Sequence, residues 1–210
     1  MTTVPRQKFE DLPGEIPIFP LTGVLLLPRG QLPLNIFEPR YVAMVDHAIA
    51  SHRLIGMVQT RDDGSVYNVG CAGRVTSYNE TPDGRYEIVL TGICRFHLAE
   101  ESSQLNGFRR VKADWTNYAN DLQKLDSLDM DRGKLRRLLK NYFEKQGLTC
   151  SWDAVDQASD EKLMTTLAMI CPLGAKEKQA LLEAPCCRER ARLFMTMLEM
   201  ECNGGCGCKH

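Results

Sequence analysis

Between Ile16 and Phe37 the apolar residues are closely spaced and interrupted by Pro and Gly, the pattern of short strands. From Pro39 they fall at Tyr41, Met44, Val45, Ala48 and Ile49, the spacing of one helix face. Proline sets φ for a first helical turn and lacks an N–H that would go unpaired there. The spacing therefore predicts a helix from Pro39 to about Ser51, with Glu38 as N-cap and its carboxylate near the positive end of the dipole. Strand patterning then resumes. Tyr86, Ile88 and Leu90 alternate with Glu87, Val89 and Thr91, and Gly64, Pro82-Asp83-Gly84 and Asn106-Gly107 supply turns.

Around Asn117 to Asp129 the composition turns polar and acidic, and beyond it the period is helical. Leu135, Leu138, Leu139, Tyr142 and Phe143 form one apolar face opposite Lys134, Arg137 and Lys140, and Gly147 supplies the stop. Ser159 reads as an N-cap followed by Asp160 and Glu161, with Leu163, Leu167 and Ile170 along the helix and Pro172 ending it. Ala175 to Glu183 reads as a short helix. After Pro185, Arg188 to Glu201 carries Ala191, Phe194, Met197 and Leu198 on one side. Faces this narrow need partners, so a small helical bundle is expected. The organisation expected is a β-rich unit over 1–118, a helical unit over 119–201 and a Cys/Gly-rich tail over 202–210.

Composition removes several function classes. With 210 residues, 43% hydrophobic, the chain is long enough to bury one substantial core or two small ones. Its 26 basic and 27 acidic side chains leave a net charge of -1, so no global field draws it to nucleic acid, although Arg109-Arg110-Lys112 and Arg132-Lys134-Arg136-Arg137 are local basic runs. No apolar run is long enough for a bilayer, and residues 1–8 lack the apolar core of a signal peptide. The nine cysteines are odd in number, and Cys71, Cys94 and Cys171 lie in apolar segments, so reduced thiols in a cytoplasmic setting are expected. No phosphate loop, Gly-x-Ser-x-Gly elbow or His-Glu-x-x-His pair is present, and no nucleophile and base are nameable.

The run Ile16-Pro17-Ile18-Phe19-Pro20-Leu21, followed by Phe37-Glu38-Pro39-Arg40-Tyr41, resembles the amino-terminal domain of the Lon protease family. Ile55-Gly56-Met57-Val58, Val69-Gly70-Cys71-Ala72-Gly73-Arg74-Val75 and Thr91-Gly92-Ile93-Cys94-Arg95-Phe96 resemble, in order, further strands of that domain. The likeness is strong to Phe96 and weaker beyond Asp131. It implies an α+β fold: a β-rich, PUA-like pseudo-barrel with one inserted helix, then a small all-helical bundle. It also implies a stand-alone, non-catalytic module that engages unfolded or extended polypeptides, a protease or a chaperone, without the ATPase and protease modules of full Lon proteins. A nucleic-acid-binding PUA-like module and a metal- or redox-responsive protein are the alternatives. Oligomers are compatible with each.

A polypeptide-binding surface needs uncovered apolar groups. Leu25, Leu26 and Leu27 with Leu32 and Leu34 are the candidates, the alternative being ordinary core. Phe37, Glu38, Pro39, Arg40, Tyr41 and Arg95 form a structural signature, in which the resemblance makes Arg95 the partner of Glu38. Cys202, Cys206, Cys208 and His210 match the donor set of a Cys3His zinc site, the alternative being a terminal thiol tail. No other cofactor is expected.

Overall fold

A computed structural model describes residues 8–123, 128 and 130–203. A 3-10 turn at Phe9–Asp11 leads into β1 (Glu15–Pro20), β2 (Gln31–Ile36), α1 (Pro39–Ala50), β3 (Leu54–Val58), β4 (Val69–Glu80), β5 (Tyr86–Leu105) and β6 (Phe108–Asp114). After a second 3-10 segment, Thr116–Leu122, come α2 (Arg132–Gln146), α3 (Trp152–Gln157), α4 (Asp160–Ile170), α5 (Ala175–Glu183) and α6 (Cys187–Asn203).

Local chemistry accounts for most boundaries. Pro39 starts α1 with Glu38 at the N-cap, and Met44, Val45 and Ala48 are its buried face. The Glu38 carboxylate makes no capping bond. Asp131 caps α2 by accepting from the Lys134 N–H, and Gly147 ends it in the left-handed conformation at φ 66°. Ser159 caps α4 by accepting from the Lys162 N–H. Asn106 and Gly107, both at positive φ, make the two-residue turn between β5 and β6.

The strands do not build the expected pseudo-barrel. They form one six-stranded mixed sheet in the order β2-β5-β4-β3-β1-β6, with β1 parallel to β3 and the other pairs antiparallel. The long strand β5 explains the shape. Its first residues, Tyr86 to Thr91, lie between β2 and β4, and its later residues, His97 to Leu105, pair with β6. Strand β2 is left outside with β5 as its one neighbour among the described residues, so the sheet stays open at that edge. Pro33 at the middle of β2 suits an edge, because proline donates nothing to a ladder.

The segment after β1 is not a strand, yet Leu25, Leu26 and Leu27 are each 2% exposed or less. It crosses Gly92 at close range: a Cβ there would sit 2.0 Å from the Leu27 carbonyl oxygen. Arg29 N–H donates to the Gly92 carbonyl, and Gly92 N–H to that of Gly30. One hydrophobic cluster runs from Phe19, Leu26 and Leu90 in the sheet layer to Leu163, Leu181 and Phe194 in the helices. A second, around Ile18, Phe96 and Trp115, lies within the strand layer.

Candidate functional site

Helix α4 carries two faces. Leu163, Met164, Leu167 and Ala168 are buried, whereas Lys162, Thr166 and Ile170, four residues apart, form an outward ridge. Ile170 closes that ridge with 65% of its surface exposed, unusual for a large aliphatic side chain. On one side of the ridge lies a cavity of about 500 Å³, lined by Phe143, Cys150, Val155, Leu163 and Leu167 from α2, α3 and α4. On the other lies a second of about 500 Å³, reaching Arg29, Gly30 and Gln31 at the start of β2. Both are bordered by Lys162, Thr166 and Ile170. Together they make a groove from the α2–α3 seam to the open edge of the sheet.

The β2 end of the groove is held by a knot around Arg29, whose backbone sits at φ 64°. Its guanidinium pairs with Glu161 on α4 and donates to the carbonyls of Asp121, at 3.1 Å, and Gln123. Met169 packs over Gly30, where a Cβ would meet its sulfur at 2.3 Å.

Arg95, on β5, is 3% exposed and joins sheet to helices. Its Nε and Nη2 each donate to the Asp121 carboxylate at 2.8 Å, and Nη1 donates to the carbonyls of Leu182 and Ala184 at 3.0 and 2.6 Å. Burial by itself would lower the Arg95 pKa, but the hydrogen bond and charge of Asp121 outweigh it and the net shift is upward. The guanidinium also lies 4.9 Å from the Tyr118 ring centroid.

Residues 15–200 match the family model described as the ATP-dependent protease La (LON) substrate-binding domain. The chain belongs to that Lon substrate-binding domain family. Lon protease of Anaeromyxobacter dehalogenans is 26% identical over 199 residues, which cover 90% of this chain and 23% of the relative. Lon protease 2 of Myxococcus xanthus is 25% identical over 199 residues, again 90% of this chain and 24% of the relative. The chain thus spans about a quarter of the length of the curated relatives it matches. Among solved structures, the Lon N-terminal domain protein from Xanthomonas campestris superposes with a TM-score of 0.61 at 22% identity, covering 87% of this chain and 97% of that one. The N-terminal domain of Mycobacterium avium complex Lon protease gives 0.66 at 19% identity, covering 88% and 98%. At these identities the two structures establish the fold. The matched stretch is the non-catalytic, substrate-binding part of Lon.

Within this Lon-type fold the sequence candidates lie as follows. Leu25, Leu26 and Leu27 are interior, and Leu32 and Leu34 are half-buried on the edge strand β2. Phe37 is 63% exposed. Glu38 does not pair with Arg95 as the resemblance implied. It takes Arg40 Nε and Nη2 at 3.0 and 2.7 Å in an exposed pair, while Arg95 turns to Asp121 under the α5–α6 connection. Tyr41 packs its ring 4.3 Å from that of Phe19 and lies beneath the Arg40 guanidinium, tying Pro39 and the head of α1 to β1.

Among the described residues, all members of the basic runs but Arg137 are in ion pairs. Arg109 pairs with Glu101, Arg110 with Glu15 and Lys112 with Glu100, while Arg132, Lys134 and Arg136 pair with Asp160, Glu199 and Asp156. This interleaving removes the free positive stripe that a phosphate backbone would track. Cys202 lies near the end of α6 with its sulfur 4.0 Å from the Leu138 carbonyl oxygen. Cys206, Cys208 and His210 lie outside the described residues. Among the described residues no group of His, Cys, Asp or Glu is arranged to hold a metal ion, and no helix is long and apolar enough to cross a membrane.

The groove residues were only half legible in sequence. Leu163, Leu167 and Ile170 read as one apolar stripe on α4, and they do share a wall. What the spacing did not reveal is that α4's neighbours stop short of Ile170. Asp121 lay in the polar, acidic stretch that read as a connection, and nothing in its neighbours signals a partner on β5.

Proposed function

We propose that this chain binds unfolded or extended polypeptide along the α4 groove. The observation that carries the reading is Ile170: a large apolar side chain left in solvent between a cavity walled by Phe143, Val155, Leu163 and Leu167 and a more polar one lined by Arg29, Gln31 and Glu161, beside an open sheet edge. Apolar walls with a few polar groups suit scattered hydrophobic side chains on an extended chain. The name of the family model, a substrate-binding domain, supports the same reading. Pro33 interrupts any added strand at β2, so side-chain burial in the groove is the main source of affinity, with Leu32 and Leu34 flanking it. The partners are polypeptide clients, presented to a protease or chaperone, in a cytoplasmic setting where the described cysteines, all free, stay reduced.

The test is Ile170→Glu, measured by fluorescence anisotropy with a labelled, permanently unfolded polypeptide. Removing one central apolar anchor costs about 2 kcal/mol or more, so affinity should fall roughly thirtyfold while the melting temperature stays within a degree or two. Unchanged affinity in a folded variant would move the site elsewhere.

A further inference from the structure

Next to the groove, and sharing Arg29, Glu161 and Thr165 with it, lies a smaller cavity of about 70 Å³ between β5, the turn carrying Asp121, and the head of α6. Arg29, Arg95 and Arg190 line it, together with Asp121 and Glu161. Arg29 and Arg95 are engaged by these two carboxylates and by backbone carbonyls. Arg190 is different. It is 4% exposed, and its Nε donates to the Leu181 carbonyl at 2.7 Å, but its Nη2 is buried with no hydrogen-bond partner.

A buried, unmade hydrogen bond from a charged group is among the costlier defects a fold tolerates. Burial, and after it the charge of Arg95, push the Arg190 pKa down, the direction expected of a cation short of a counter-charge. Three guanidinium groups against two carboxylates leave one positive charge at the cavity. The wall adds a second source of positive potential. Cys186 and Cys187 line the cavity, Cys186 just before the 17-residue α6 and Cys187 as its first residue, with the Arg190 backbone N–H bonded to the Cys186 carbonyl at 3.0 Å. The N–H groups of that first turn have no partners within their own helix.

We propose that this cavity binds a small oxyanion, held by Arg190 Nη2 and the head of α6. The single surplus charge matches a carboxylate better than a doubly charged phosphate. The volume, several times what one water requires, takes a carboxylate group but not a side chain of any length. Two sources offer that group: a free small acid, or the terminal carboxylate of a polypeptide in the adjoining groove. The second source rests on the function proposed above; the oxyanion site itself does not.

The experiment uses the full chain in thermal-shift and calorimetric titrations with sodium acetate and with inorganic phosphate, each against sodium chloride at equal ionic strength. Saturable stabilisation by acetate, beyond that by chloride, is the expected result. Arg190→Gln should weaken the response about tenfold or more, the loss of a charge-assisted hydrogen bond. Should Arg190→Gln fold poorly, Cys186→Asp keeps the test open, because it places a carboxylate at the exposed mouth of the cavity. That variant should melt higher than the parent and no longer respond to acetate. No saturable response to either anion, or the same response in both variants as in the parent, overturns the proposal. A response to phosphate alone keeps an oxyanion site and replaces its ligand. A peptide with a free carboxyl end, paired with its amide, separates the sources. Tighter binding of the acid form, lost in Cys186→Asp, assigns the site to chain ends, and equal binding of the pair assigns it to free acids. Failure of the groove itself is read independently by Ile170→Glu.

Discussion

Asp121 and Glu38 are both carboxylates taking two hydrogen bonds from one guanidinium, yet burial makes them unequal. The Arg95–Asp121 side chains are 3% and 10% exposed, and the Arg40–Glu38 side chains 53% and 44%. Removing one member of a buried pair strands a charge and costs about 3–5 kcal/mol, whereas an exposed pair contributes about 0–1 kcal/mol. Asp121→Ala should therefore lower stability by about 3–5 kcal/mol and Glu38→Ala by less than about 1 kcal/mol, as read by urea denaturation. Equal losses would refute the assignment of Arg95 as the link between sheet and helices. Gly92 is a second residue with no freedom. Its Cβ would overlap the Leu27 carbonyl, a backbone atom that cannot swing away, so Gly92→Ala should fail to fold or melt far below the parent in circular dichroism. Neither role was legible in advance. Gly92 could be matched to a strand of a known pattern, but not to the buried segment lying over it, because contacts far apart in sequence leave no periodic trace.

Elements were legible wherever one physical signal was strong. Pro39 after Glu38, Gly147 after an apolar face and Ser159 before Asp160 each marked a helix end, and the helix ends fall there. The sheet was harder, since alternation shows which residues face inward and not which strand a 20-residue β5 will reach at each end. Ties between elements also set the pH response. Tyr86 on β5 donates to Asp46 on α1 at 2.8 Å, and that bond is the first cause raising its pKa to about 12. Burial raises the thiols of Cys94 on β5 and Cys171 after α4 to about 12 as well. All three hold their protons more tightly folded than unfolded. Their contribution is complete below the ordinary thiol and phenol range, about 9 to 10, and is lost as pH climbs toward 12 because the unfolded chain ionises first. The urea midpoint should thus be flat near neutrality and fall steadily from about pH 9 to 12, and Tyr86→Phe should shrink the part of the fall above about pH 10. A midpoint that does not move across that window would refute the burial of these thiols.

At the scale of the whole molecule the question is whether sheet and helices unfold together. The change of period near Asp129 suggested two units, and we propose that they melt as one. The larger hydrophobic cluster holds Leu26 and Leu90 from the strand region and Leu163 and Phe194 from the helical one in continuous contact. Arg95 fastens β5 to the carbonyls of Leu182 and Ala184, and Gln59 after β3 donates to the Ala175 carbonyl and Gln179 Oε1 at 3.0 and 3.1 Å. Opening the seam would expose both apolar faces and these buried polar groups at once, which is the condition for cooperative unfolding. The two tryptophans make this testable because each reports from one side. Trp115 is 6% exposed, donates to the Pro13 carbonyl at 2.9 Å and packs 5.6 Å from Phe96 in the strand layer. Trp152 opens α3, with its ring 6.4 Å from Phe143 and the Arg136 guanidinium 5.1 Å from it. In single-tryptophan proteins made by Trp115→Phe and Trp152→Phe, fluorescence and circular dichroism should give one coincident urea transition within each variant. If the Trp152 signal melts well before the ellipticity of the sheet, the helices are a separate folding unit, and the groove along α4 would be able to open without the strands beneath it.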